Sequence, residues 1–417
     1  MFCETTKLES GVTVLTERLE GVRSVSLGLW VRVGNRDELP EEYGMSHFME
    51  HMLFKGTPTR TALDISRTAD ALGAEFNAFT SREYTCFYTR VIDTHLDEMF
   101  QMLCDLLVNA SFRPEDIELE REVVLEEIAR SQDTPEDYVF DLFSETAMPT
   151  HPLGRPVLGT VGRVSAFSSD DLHAFHDAHY TTGNVFVVAC GNVDHDHIVE
   201  LAGRWLEGLP KGERLVREKT VERERKALSV DSRDTEQDHV LYGFPAIAQD
   251  DPHRYAYALL DTVMGGGMSS RLFTEIREKR GLAYSVYTTT QLYEDAGLFA
   301  MYAGARPDNI AEVLAVAQEQ FARIAEEGIT DEELDRAREL TCGYFVLGQE
   351  SSRNHMTRLG RMAVSGLPFL SVDETLERYR AVSRDDVARA AAHLFEQEPT
   401  VSVVGAHTVH EIEGMLG

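Results

Sequence analysis

The chain has few cysteines, few basic residues and no long apolar run. Its five cysteines, Cys3, Cys86, Cys104, Cys190 and Cys342, are odd in number, scattered, and form no Cys-x-x-Cys pair. That pattern excludes a paired disulfide framework and suits free thiols in a reducing compartment. Lys and Arg number 40 against 71 Asp and Glu, a formal net charge of −31. Such a surplus excludes nucleic acid and anionic membrane as partners. It favours a basic or cationic substrate, with plain solubility as the alternative reading. No apolar run approaches the ~18 residues a membrane span needs. The first eight residues, Met1 to Leu8, have neither an apolar signal core nor the Arg-rich, acid-poor character of a transit peptide. The expectation is a cytoplasmic protein.

With 417 residues, 43% of them hydrophobic, the chain is globular and long for one core, so two or more domains are expected. At Gly44-Met45-Ser46-His47-Phe48-Met49-Glu50-His51-Met52-Leu53-Phe54-Lys55-Gly56-Thr57 the pattern predicts a short helix, capped by Ser46 and ended by Gly56 and Pro58. At 100° per residue, His47 and His51 share one face and Glu50 lies beside them. His-x-x-Glu-His inverts the commoner His-Glu-x-x-His order but keeps its physics. Two imidazoles bind one metal, and an unliganded Glu serves as general base. The plain alternative is a surface helix with two histidines.

A catalytic zinc needs a third protein ligand and an open position for water. Residues 113–131 predict a helix entered at Pro114, with Ile117, Val124 and Ile128 as its apolar stripe. Glu120 and Glu127 fall on or beside that stripe, pointing toward the core, where a zinc with its histidines would be a partner.

Elsewhere, Val12–Leu15 and Val25–Val31 read as strands and Leu63–Leu72 as a helix stopped by Gly73. Alternation around Tyr84, Cys86 and Tyr88 reads as a half-buried strand. Leu96 to Leu107 and Ser168 to His179 read as helices, and Val185–Gly191 as a buried strand. His173, His176 and His179 cannot face one ion at 100° per residue and read as surface histidines. Residues 211–237 are charged and read as a linker, with room for one strand.

The second half then repeats the first. Ser383-Arg384-Asp385-Asp386-Val387 echoes Ser168-Ser169-Asp170-Asp171-Leu172, and Val401–Gly405 echoes Val187–Gly191, at a steady spacing of about half the chain. Residues 251–260, where the metal helix should recur, hold no His-x-x-Glu-His. A glycine-rich loop, Gly265, Gly266 and Gly267, opens a helix there, without the Lys-Ser/Thr of a phosphate-binding loop. Arg277 and Tyr284 follow, and alone they read as a surface Arg and a strand Tyr.

Residues 28–38, the His47 to Thr57 segment and the Glu120 to Glu127 helix together resemble the pitrilysin family of inverzincin metallopeptidases. Within it they resemble the beta subunit of mitochondrial processing peptidase and its bacterial short-chain relatives. The resemblance implies Glu127, 76 residues beyond His51, as third ligand, and Glu120 as a supporting residue near the metal. It implies that Phe76, Asn77, Ala78 and Phe79 lie on a sheet edge that takes substrate as an added strand, and that Arg277 and Tyr284, seven apart, assist catalysis. Gly265, Gly266 and Gly267 are candidates for substrate binding. The expected fold is α+β, two homologous halves that are each a mainly antiparallel sheet flanked by helices, paired as a clamshell-type dimer. The expected domains are 1–210, carrying the zinc; 211–237, a charged linker; and 238–417, without metal.

The expected activity is a zinc endopeptidase with one zinc per chain, which hydrolyses unfolded, basic or presequence-like peptides in a closed chamber. Glu50 is the base toward the metal's water. The partner is a second copy of the chain or a paralogue. The same fold also serves as catalytically silent partner subunits, and that is the competing expectation.

Overall fold

The computed structural model describes residues 2–217, 219 and 227–416; residues 218 and 220–226 of the expected linker lie outside the described residues. Two compact units emerge, one of residues 1–129, 156–218 and 348–369 and the other of 130–155, 219–347 and 370–417. Each unit therefore contains a segment from beyond the expected boundary.

The first unit is built on six strands: β1 (Glu4–Lys7), β2 (Thr13–Arg18), β3 (Ser24–Val31), β4 (Glu75–Thr80), β5 (Thr85–Ile92) and β6 (Val185–Gly191), in the order β1-β2-β6-β3-β5-β4. All neighbours are antiparallel except β2 and β6. The second unit has β7 (Leu228–Ser232), β8 (Asp238–Ala246), β9 (Ala283–Leu292), β10 (Gly297–Ala305) and β11 (Thr400–Gly405), in the order β7-β11-β8-β10-β9. Only β7 and β11 are parallel. The two orders match strand for strand once β1 is set aside, which is the duplication seen in the sequence. The fold is mixed α+β with mainly antiparallel sheets, as expected.

β5 is buried along nearly its whole length, not half-buried. One face meets the core of helices Met45–Leu53 and Leu96–Asn109. The other lies in a second cluster with Trp30 of β3 and with Met356 and Leu359, which helix Ser352–Ser365 supplies. That helix sits close because Gly360 has no side chain: a methyl there would lie 2.1 Å from Trp30 Cε2. Trp30 Nε1 donates to Met356 Sδ at 3.3 Å. In the second unit, helix Pro135–Ala147 packs correspondingly, its Val139 and Phe143 clustering with Leu241 and Val404. Of the three histidines expected at the surface, His173 is exposed and His179 is half-buried with its Nδ1 buried. His176 is buried, not exposed, because it extends the apolar stripe of Leu172 and Phe175, and its Nε2 bonds the Leu107 carbonyl at 2.7 Å. Among the described residues, no helix is long and apolar enough to cross a membrane.

Candidate metal centre

The metal helix runs Met45–Leu53, and Ser46 does not cap it. The carboxylate of Glu38 does so from the preceding loop, Oε2 accepting the Gly44 N–H at 2.9 Å and Oε1 the Ser46 N–H at 2.7 Å. A carboxylate there complements the positive end of the helix and outcompetes a hydroxyl. Burial still pushes the Glu38 carboxyl up to about 7. Its neighbours in the same loop are equally committed. Arg36 pairs with Glu83 at 2.6 Å, and Asp37 is held by Arg217 at 2.7 Å. Residues 34–38 thus brace the start of the helix that carries the histidines.

Its apolar face, Phe48, Met49, Met52 and Leu53, is buried in the core. The opposite pattern follows from the period: His47 and His51 emerge together, ring centroids 4.7 Å apart. The third donor comes from helix Pro114–Asp133, buried through Ile117, Glu120, Arg121, Val124 and Ile128. Glu127 Oε2 lies 3.6 Å from His47 Nε2 and 3.4 Å from His51 Nε2. Donor atoms of the three residues all fall within 4.8 Å of one another, the only such cluster of three or more His, Cys, Asp and Glu among the described residues.

These residues fit a cation. Glu127 Oε2 is buried and makes no hydrogen bond, an expensive state for a carboxylate oxygen that a metal would relieve. Glu120, buried, accepts at 2.8 Å from His51 Nδ1, which leaves Nε2 with its lone pair toward Glu127. Its other oxygen is paired with Lys55 Nζ. A carboxylate behind the imidazole fixes ring and tautomer, the usual support of a metal-bound histidine. Burial, reinforced by His51, pushes His47 down to about 3, so its imidazole is neutral and ready to ligate. Burial also pushes His51 down, but its hydrogen bond to Glu120 and the charges of Glu127, Glu120 and Glu50 outweigh that effect and raise it.

Glu50 is not part of the donor cluster. Its Oε2 accepts from Thr80 Oγ1 at 2.6 Å. Burial raises its carboxyl, with Thr80 and His51 opposing. A carboxyl so poised is suited to taking and returning a proton. Thr80 ends β4, the edge strand that carries Phe76, Asn77, Ala78 and Phe79. On that edge the Ala78 N–H donates to the side chain of Asn77 at 2.8 Å.

Arg277 and Tyr284 belong to the second unit and meet there. Arg277 Nη1 donates to the Tyr284 carbonyl at 2.9 Å, and its guanidinium lies 4.5 Å from the centre of a tyrosine ring that is 79% exposed. Arg277 sits in a π-helical turn, Phe273–Glu278, a feature common at functional sites. The Gly265 and Gly266 amides both donate to the Asp261 carbonyl, so neither is free for a ligand. A side chain at Gly265 would strike Thr288 N at 2.2 Å, which explains the glycine by close packing.

Sequence reasoning missed Glu38, Thr80 and Lys55. Lys55 lies inside the metal motif and Glu38 closes the 28–38 stretch, but nothing local marked the partner of either.

Two imidazoles and a carboxylate from two helices, with an unliganded glutamate beside them, are the donor set of an inverzincin metal centre. Residues 13–161, which contain all four, match the insulinase family, peptidase family M16, and residues 166–341 match the peptidase M16 inactive domain. The chain belongs to peptidase family M16, as the motif implied. It is 43% identical to a protein of Streptomyces coelicolor named an uncharacterized zinc protease, over 96% of this chain and 89% of that one. A Bacillus subtilis protein, likewise named an uncharacterized zinc protease, is 34% identical over 95% and 96%. Two crystal structures share the fold. A peptidase M16 inactive domain from Pseudomonas fluorescens has a TM-score of 0.91 at 21% identity, covering 98% of this chain and 99% of its own. A protease from Helicobacter pylori has a TM-score of 0.89 at 22% identity, covering 96% and 99%.

Proposed function

We propose that this protein is a zinc-dependent endopeptidase acting on unfolded peptides, with basic, presequence-like segments preferred. One observation carries the reading: His47 Nε2, His51 Nε2 and Glu127 Oε2 converge beside the half-buried, unliganded Glu50. Zinc, one per chain, would supply Lewis-acid polarisation of the scissile carbonyl and acidify the attacking water. Glu50 accepts the proton of that water and returns it to the leaving amine, while Thr80 holds the carboxylate in place. Glu120 keeps His51 in the tautomer that presents Nε2.

Peptide recognition falls to the free edge of β4. An extended chain adding there exchanges backbone hydrogen bonds whatever its side chains, and Asn77 must first release the Ala78 N–H. Arg277 and Tyr284 supply donors for the developing oxyanion. We propose that they do so from the second subunit of a homodimer, since one chain has two homologous halves and the resemblance implies a chamber built of four. Five buried, unpaired cysteines support a reducing, cytoplasmic setting. The net charge of −31 supports cationic peptides as substrates.

The silent-partner alternative draws on the inactive-domain match, but that match covers residues 166–341, outside the metal motif. The experiment is metal removal and return. Chelation should abolish cleavage of a quenched basic peptide, and titrated zinc should restore it with a break at about one equivalent per chain. An acidic peptide of equal length should be cut more slowly at low salt. Activity that survives complete chelation would contradict the zinc reading.

A further inference from the structure

Glu120 is buried with both oxygens committed, Oε1 to His51 Nδ1 at 2.8 Å and Oε2 to Lys55 Nζ. The first contact explains the orientation of His51. The second raises the question of why a lysine outside the donor set is aimed at the same carboxylate.

The backbone around Lys55 is fixed on both sides. Its N–H donates to the Met52 carbonyl at 3.1 Å, continuing the metal helix by one turn. Its carbonyl accepts from Arg113 Nη2 at 3.0 Å, and Arg113 is paired through Nε with Asp116 at 2.7 Å, in the first turn of the helix that carries Glu120 and Glu127. The next residue, Gly56, has φ 129, a backbone that side chains rarely adopt, and its carbonyl accepts from Ser111 N at 3.1 Å. The chain therefore turns sharply just after Lys55, and the ammonium bridges two helices that each supply metal ligands. A buried carboxylate with one neutral donor keeps an uncompensated charge and freedom to rotate; a cation on its second oxygen removes both.

We propose that Lys55 is a positioning residue for the metal centre, acting through Glu120 to hold His51 ready for the ion. This rests on the zinc reading above. The relay runs Lys55 Nζ, Glu120, His51 Nδ1, and leaves His51 Nε2 for the metal. Lys55 does not touch the ion or the substrate. Its work is to keep Glu120 neutralised and aligned whether or not zinc is bound.

The test is zinc affinity of the full-length protein, measured by competition with a chromophoric chelator, so that peptidase activity is not the readout. Lys55→Met should weaken zinc about 10–100-fold, the usual effect of losing a residue behind a metal ligand, and should shift the visible spectrum of the cobalt-loaded protein. Lys55→Arg, which keeps a cation, should restore affinity to within about threefold of wild type. In a Glu120→Gln background, Lys55→Met should cost at most about twofold more, because the two act as one unit. Near-UV circular dichroism of the metal-free forms checks folding; if Lys55→Met misfolds, Lys55→Gln carries the same comparison. The proposal is overturned if Lys55→Met binds zinc as wild type does, or if its cost is undiminished in Glu120→Gln. Wild-type protein that binds no zinc would overturn the peptidase reading as well. Wild-type protein that binds zinc and cleaves, beside an unaltered Lys55→Met, would overturn only the role of Lys55.

Discussion

At the scale of the residue, Glu50 depends on one hydroxyl. Thr80 Oγ1 donates to its Oε2 at 2.6 Å, while burial opposes its ionised form. Thr80→Val keeps the β-branched shape that suits the end of β4 and deletes only that donor. A hydrogen bond to a charged group contributes about 1.5–3 kcal/mol, so kcat should fall about 10–100-fold with zinc content unchanged. Steady-state kinetics on a quenched peptide with metal analysis checks this, and a kcat within about twofold of wild type would remove Thr80 from the account. The pair also marks what the sequence could say about the site. His47, Glu50 and His51 were legible because one helical turn sets their relation by sequence spacing alone. Glu38, Thr80 and the target of Lys55 were not, because each meets its partner through tertiary folding, and an isolated Glu, Thr or Lys has no periodic signal. Glu127 stood between these cases: the apolar stripe placed it near the core, and the family spacing was needed to single it out from the seven other glutamates and aspartates of its helix.

At the scale of the element, strands and long helices were read well and their surroundings less so. β5, expected to be half-buried from its alternation, is buried on both faces because the second is covered by helix Ser352–Ser365, far along the chain. No local pattern announces such a covering. The metal helix was placed well, but its cap was assigned to the nearest hydroxyl when a carboxylate six residues before Gly44 held the amides. In the second unit, Asp261 lies on helix Arg254–Met264, next to β9. Its Oδ1 is buried without a hydrogen bond, and burial pushes its carboxyl up to about 6 against the opposing hydroxyls of Thr288 and Thr290. In the unfolded chain the same group titrates near 3.9. Between about pH 4 and 6 the folded chain therefore keeps a proton that the unfolded chain has lost, and stability falls as pH rises through that window. Above it the full cost remains, at most on the order of 3 kcal/mol. Asp261→Asn should thus melt higher than wild type at about pH 7.5 and lose that advantage at about pH 4. Thermal melts at the two pH values decide it, and an equal gap at both would show that ionisation of Asp261 is not the cause.

At the scale of the whole molecule, the duplicated strand order and the M16 relatives account for two units of one design, of which the first carries the donors. The second supplies Arg277 and Tyr284, joined by a hydrogen bond and a ring contact, and the proposal gives them work at a partner's zinc. Sequence alone showed the repeat, since the Ser-x-Asp-Asp and Val-rich signatures recur at constant spacing. It could not show that each compact unit takes in a helix from beyond the midpoint, because exchange leaves the helix pattern unchanged. The most direct measurement is the zinc content and peptide turnover of Glu50→Gln, alone and after subunit exchange with Tyr284→Phe protein. The account predicts one zinc per chain and no turnover for Glu50→Gln alone, and turnover recovered in the mixture from the one site that keeps both groups. Substantial turnover by Glu50→Gln alone would contradict the central claim, and a mixture that stays silent would contradict the shared site.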